Sequence, residues 1–210
     1  MPVQQTLRSY QSEIGRAVLK SVMERRGLTF TVEIARQGGK NELSAQMEMF
    51  LLTLNAASGG NLVKAAPTMF PQALISLRRL KDRLRDAGFP ESPSAGWTVE
   101  AGHILRLGRA RQVFASAEPA ANVAGLTAHH LLEVDEAQDV DVEKFWKEFW
   151  PMGASTNVTT VLYGTPWSQD SLLEQAKRKT SKRSARTASA ATSVSTGRRL
   201  PAITRSTAPT

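Results

Sequence analysis

The sequence predicts an α/β fold in which a mostly parallel sheet is flanked by helices. Segments of helical periodicity alternate with short apolar runs along the chain, which is the pattern of βαβ units. The 210 residues, 41% hydrophobic and 22% charged, suffice for one substantial core, since a domain of about 150 residues hides roughly 70% of its unfolded surface. No run of about 18 apolar residues occurs, so no membrane span is expected. The amino-terminal residues also lack the apolar segment of a secretory signal. There is no cysteine, which excludes disulfide frameworks, Cys-based zinc sites, iron–sulfur clusters and thiol catalysis. A cytoplasmic setting is the expectation.

The elements follow in order. Residues 6–26 carry Leu7, Tyr10, Ile14, Ala17, Val18 and Val22 at helical spacing, and Gly27 ends the helix. Residues 28–34 alternate and are β-rich, predicting a first strand. A second helix is expected after residue 42, with Leu43, Met47, Phe50, Leu51 and Leu54 on its apolar face. Gly59 and Gly60 make a turn into a short strand over 61–65. Pro71 suits the first position of a third helix, which runs to about Gly88 on Leu74, Leu77, Leu80 and Leu84. Residues 88–102 read as a loop. Strands are expected at 103–107 and 111–115, then at 131–134. A helix over 142–149 is cut by Pro151, and a last strand covers 158–163.

Chemistry is expected where strands give way to turns. After the first strand, Ile34-Ala-Arg-Gln-Gly-Gly-Lys-Asn41 joins a strand end, a glycine turn and a helix start. Backbone N–H groups there, with the helix N-terminus, form an anion nest. Gly38 and Gly39 allow close approach, and Lys40 reaches outer phosphates. The fit to a phosphate loop is incomplete, because Ile34 stands at the first Gly position and Asn41 replaces Ser or Thr. Taken alone, the segment reads equally well as a turn beside a solvated lysine. The strand at 131–134 ends in Asp135-Glu136. In phosphate-loop enzymes a strand-end Asp holds Mg²⁺ and a following Glu polarises the attacking water, although an ordinary helix cap is the simpler role for such residues. The last strand ends in Gly164-Thr165-Pro166. All three segments lie at the carboxyl ends of strands, where open α/β sheets bind ligands, so they converge on one nucleotide.

The net charge of +8 belongs to the end of the chain. Nine of the 27 Lys and Arg residues fall within 176–210, which holds no Asp or Glu. Residues 1–175 keep 18 basic and all 19 acidic side chains, close to neutrality. Composition thus predicts a domain over 1–175 and a disordered basic tail over 176–210. The tail reads either as a polybasic arm for phosphates or as a truncated or frame-shifted end without a selected role.

With these residues in place, residues 7–175 resemble the ATPase half of phage terminase large subunits, the motors that package DNA into proheads. The similar points are Ala35-Arg36-Gln37-Gly38-Gly39-Lys40 as the Walker A variant, Asp135-Glu136-Ala137-Gln138 as Walker B with its catalytic Glu, and Gly164-Thr165-Pro166 as the coupling motif. Ala66-Pro67-Thr68 with Gln72 matches the segment after the second strand, and Tyr10-Gln11 the adenine-contacting motif. The resemblance implies a RecA-like, additional-strand P-loop core, with the strand ending at Gly164 between the Walker A and Walker B strands. It implies ATP bound by Gln11, Arg36, Gln37, Gly38, Gly39, Lys40, Asn41 and Glu42, and Mg²⁺ held by Asp135 and Asn41. Glu136, Lys40 and Arg36 become the catalytic residues, Arg36 as an arginine finger in cis. Arg106, Arg109 and Arg111 are possible donors to a neighbouring subunit. Implied partners are double-stranded DNA, a terminase small subunit, the portal or prohead, and further copies in a ring, all in the host cytoplasm. Terminase large subunits continue into an acidic nuclease; nothing acidic follows Glu174, so no nuclease activity is expected. The rival functions are a helicase-type translocase and a catalytically silent fragment.

Overall fold

The computed structural model of the chain describes residues 6–187 apart from Arg36 and Pro166. Seven strands form one sheet: β1 (Thr29–Glu33), β2 (Gly60–Ala66), β3 (Trp97–Glu100), β4 (Ile104–Leu107), β5 (Ala110–Ser116), β6 (Leu131–Val134) and β7 (Thr159–Gly164). Their spatial order is β1-β7-β6-β2-β5-β4-β3. The first five in that order are parallel, and β4 and β3 extend the sheet as an antiparallel meander. The expected mostly parallel α/β sheet is therefore present, and β7 lies between β1 and β6.

Helices α1 (Ser9–Met23), α2 (Lys40–Asn55) and α3 (Leu74–Asp86) cover one face, and α4 (Val142–Lys144) and α5 (Leu172–Thr187) belong to the other. The first face buries Val18, Leu43, Leu51, Leu80 and Leu84 against Leu62, Phe114 and Val161. The second buries Phe145, Phe149, Leu172 and Leu173 against Val63, Leu132, Val134 and Leu162. Strands β2 and β6 are buried on both sides, which is why they read as apolar runs rather than alternating ones. The chain beyond α4 continues through a wide turn over Phe145–Phe149 and a tight one over Trp150–Gly153, with Pro151 set early in the latter.

Three expectations need correction. The apolar face of α2 is rotated: Phe50 and Leu54 are about half exposed, while Ser44, Glu48 and Leu52 are buried, because this helix also carries a polar cluster into the sheet. Residues 88–102 are not all loop. Trp97 is fully buried and anchors β3, with its indole N–H donating to the Phe89 carbonyl. The third helix does start at Pro71, after the extended Phe70, as a wide turn that passes directly into α3. The supposed boundary at residue 175 falls inside α5. Ala176 is buried beside Leu172 and Leu173, and the Lys177 ammonium pairs with Glu33 of β1 and Glu174. A window of low apolar content hid a stripe of three small and aliphatic residues that finds its partner only across the sheet. The rest of the predicted tail, 188–210, lies outside the described residues.

Candidate functional site

The phosphate-loop segment turns sharply between β1 and α2. Gln37 has φ +62° and Gly39, the residue capping α2, has φ +85°. A left-handed cap suits glycine. A Cβ on Gly39 would also overlap the Gln11 amide, and one on Gly38 would overlap Ile34 and crowd the Ala35 carbonyl. Both glycines are thus required by space. Helix α1 braces the turn from above: the Tyr10 hydroxyl donates to the Gly38 carbonyl, and Gln11 Nε2 donates to the Gly39 carbonyl at 2.9 Å. Gln11 Oε1 accepts from the Arg8 N–H, so both ends of that buried amide are committed to the fold. Glu42 turns towards α3, where it meets Arg83 at 3.5 Å and Arg79 at 3.9 Å.

The acid pair sits at the end of β6, two strands in from the edge strand β1. Asp135 is buried and accepts the Glu136 N–H at 3.0 Å. Glu136 has φ +45° and ψ +48°, a left-handed conformation that costs a residue with a Cβ about 1–3 kcal/mol. That kink aims the carboxylate back at α2. Lys40 Nζ donates to Glu136 Oε1 at 2.7 Å, a charge-assisted bond between residues 96 positions apart. Gln138 Nε2 donates to Glu136 Oε2 at 2.8 Å, and its Oε1 accepts the Thr165 N–H at 3.2 Å. Lys40, Asp135, Glu136, Gly164 and Thr165 are therefore one constellation at the carboxyl rim of the sheet. Thr68, at the end of β2, is held on the same rim by Gln72, whose Oε1 accepts from its N–H and hydroxyl. Arg36 and Pro166 lie outside the described residues. Arg106, Arg109 and Arg111 sit at the opposite rim, where β5 begins, with Arg106 on Glu100 at 3.2 Å; they could act only on a neighbouring copy.

Behind the rim lies a polar cluster that sequence reasoning did not anticipate. Lys64 of β2, Glu133 of β6, Tyr163 of β7 and Ser44 and Glu48 of α2 are all at most 2% exposed. Ser44 donates to Glu133 at 2.8 Å and accepts from Lys64 at 2.8 Å; Lys64 meets Glu48 at 3.3 Å; Tyr163 donates to Glu133 at 2.9 Å. Burial raises the Glu133 carboxyl well above the ordinary range, and the neighbouring Glu48 pushes the same way. Burial alone would lower the Lys64 ammonium, but Glu48, Glu133 and Asp135 outweigh it and raise it. The signal was in the sequence: a Lys between Val63 and Ala65, and a Glu between Leu132 and Val134, are charges in the middle of apolar strands.

Among solved structures, similar folds come from phage large terminases. The large terminase of bacteriophage HK97 superposes with a TM-score of 0.63 at 18% identity, over 87% of this chain and 39% of that one. The large terminase of a thermophilic bacteriophage gives 0.62 at 12%, over 85% of this chain and 44% of that one. The ATPase domain of the Thermus phage P74-26 large terminase gives 0.57 at 18%, over 73% of this chain and 64% of that domain. The fold is that of a large-terminase ATPase domain. No family model matches the sequence, and no curated protein does either. The chain spans less than half the length of the two whole terminases. The strand ending at Gly164 lies between β1 and β6, the strand order that the terminase resemblance implied.

The oxygen donors at this terminase-like rim suit a hard cation. Magnesium takes one or two carboxylates and completes its shell with water and substrate phosphates. Asp135 supplies the buried carboxylate and Asn41 an amide at the start of α2. Among the described residues no group of three or more His, Cys, Asp or Glu forms a metal site of its own. No helix among them is long and apolar enough to cross a membrane.

Proposed function

We propose that the chain is an ATP-hydrolysing motor domain of the terminase type, which binds MgATP at the rim formed by residues 37–42, Asp135–Glu136 and Gly164–Thr165. The observation that carries the reading is the 2.7 Å contact between Lys40 and Glu136. It brings the loop lysine and the strand-end acid to one point, where a bound phosphate would draw the lysine away and free the acid, in a fold whose solved neighbours include a terminase in complex with ADP.

The geometry supports a division of labour. The backbone N–H groups of residues 39–42, at the amino end of α2, would form the phosphate cradle. Lys40 is the cation that would leave Glu136 for the phosphates. Asp135 and Asn41 would hold Mg²⁺, whose charge neutralises the phosphates and offsets the repulsion of the adjacent carboxylates. Glu136, released from Lys40, is the group that orients and deprotonates water. Arg36 would stabilise charge on the terminal phosphate. Gly164 and Thr165 would pass the state of the site to parts that grip duplex DNA. Double-stranded DNA, a small subunit, a portal and further copies in a ring are the partners this reading implies, with the host cytoplasm as the place of action.

Titration with a fluorescent ATP analogue tests the reading. Lys40→Ala is expected to weaken binding at least tenfold, with the far-ultraviolet circular dichroism unchanged. Equal affinity in the two proteins would remove Lys40 from the site and the proposal with it.

A further inference from the structure

Gln138 follows the acid pair, and the proposed mechanism gives it no task. Its side chain nevertheless makes three directional contacts. Nε2 donates to Glu136 Oε2 at 2.8 Å and to Asp139 Oδ2 at 3.0 Å, and Oε1 accepts the Thr165 N–H at 3.2 Å. The first two need a donor and the third needs an acceptor, so only a primary amide serves all of them. Asparagine has the same chemistry but is one methylene short. Glutamate keeps the acceptor and sets a third carboxylate beside Glu136 and Asp139. The opposite wall is cut to fit as well. A Cβ on Gly164 would overlap Gln138 Oε1 and crowd Leu173, so the end of β7 admits the amide only because it carries no side chain.

The two oxygens of Glu136 are thereby addressed from different sides. Oε1 meets Lys40, whose ammonium is the group phosphates would attract, and Oε2 meets Gln138. The Gln138 contact involves no group that the nucleotide would draw away. It also ties the carboxylate to the backbone of β7, the strand lying between the β1 and β6 ends.

We propose that Gln138 is a positioning residue: its amide sets the orientation of the Glu136 carboxylate and joins it to the Thr165 N–H, so that the acid and the turn after β7 change setting together. This rests on the reading of the rim as an ATP site. A carboxylate whose second oxygen is held keeps its first oxygen aimed, and small errors of aim are costly in proton transfer. Trp167, two residues beyond Thr165 and 83% exposed, offers a reporter for the turn.

The test uses the full chain and Gln138→Met, which conserves length and volume and removes all three contacts, with Gln138→Glu beside it. ATP turnover, affinity for a fluorescent ATP analogue and tryptophan emission are measured for each, with Trp167→Phe isolating the reporter. Gln138→Met is expected to lower kcat at least tenfold while KM and affinity stay within twofold. It should also abolish the Trp167 emission change that a non-hydrolysable ATP analogue produces in the unaltered protein. Gln138→Glu is expected to be at least as impaired, because it keeps the Thr165 contact and repels Glu136. A merely structural role would lower the melting temperature without separating kcat from KM. Unchanged kcat in Gln138→Met, or a Trp167 response that survives it, overturns the inference and leaves the ATP site standing. No Trp167 response in the unaltered protein overturns it too. If the unaltered protein fails to bind the analogue at all, the site reading falls, and this inference with it.

Discussion

Lys64 shows what a single side chain contributes to this molecule. It is a fully buried cation facing Glu48 and Glu133, and its removal leaves two buried carboxylates without their counter-charge. Breaking a buried pair in this way costs about 3–5 kcal/mol. Urea denaturation of Lys64→Met should show a loss of that size, and adding Glu48→Gln should restore part of it. Additive losses in the double variant would mean that the pair is not coupled. Glu133 gives a pH dependence of definite sign. Burial first, then Glu48, raise its folded carboxyl above the unfolded value, so the folded state binds more protons between the two values. Stability therefore falls as pH rises from the ordinary carboxylate range towards the raised one. Glu133→Gln should flatten that slope in melting curves taken across the range; an unchanged slope would assign it to other groups. The Lys40 and Glu136 contact belongs to this scale too. The residue types on either side were legible in the sequence, whereas their meeting depended on the left-handed kink at Glu136, which no local pattern announces.

At the scale of elements, strands were legible wherever their turns carried chemistry. Strand β6 was placed at its observed residues, and β1, β2, β5 and β7 to within one or two, because apolar runs ended in glycine or acidic turns. Strand β3 was not legible: its one deeply buried residue, Trp97, stands in a segment rich in Gly, Pro and Ser, and its pairing with β4 supplies the regularity. Helix α2 was expected after residue 42 and begins at Lys40, and its facing was misread. Its buried side contains Ser44 and Glu48, which periodicity scores as polar and which only the opposing Lys64 and Glu133 explain. Helix α5 was hidden by a basic composition, although Leu172, Leu173 and Ala176 form a stripe on it. Ala176→Asp would bury a carboxylate in that stripe and should destabilise the fold by about 2–4 kcal/mol. A change below 0.5 kcal/mol in a denaturant titration would show that α5 adds little beyond residue 175.

For the whole molecule, the parallel half of the sheet is a frame that brings three distant segments to one rim. β1 feeds the glycine turn, β6 the acid pair and β7 the turn after Gly164, and the buried cluster behind them ties α2 to β2, β6 and β7. The proposed function requires that this rim hydrolyse ATP with Glu136 as the base. The most direct measurement is Mg²⁺-dependent ATP turnover by the chain, with and without duplex DNA, beside Glu136→Gln, with nucleotide affinity measured on both proteins. Turnover is expected in the unaltered chain, with a loss of at least a hundredfold in Glu136→Gln and affinity retained. Equal turnover in the two proteins would contradict the proposed function.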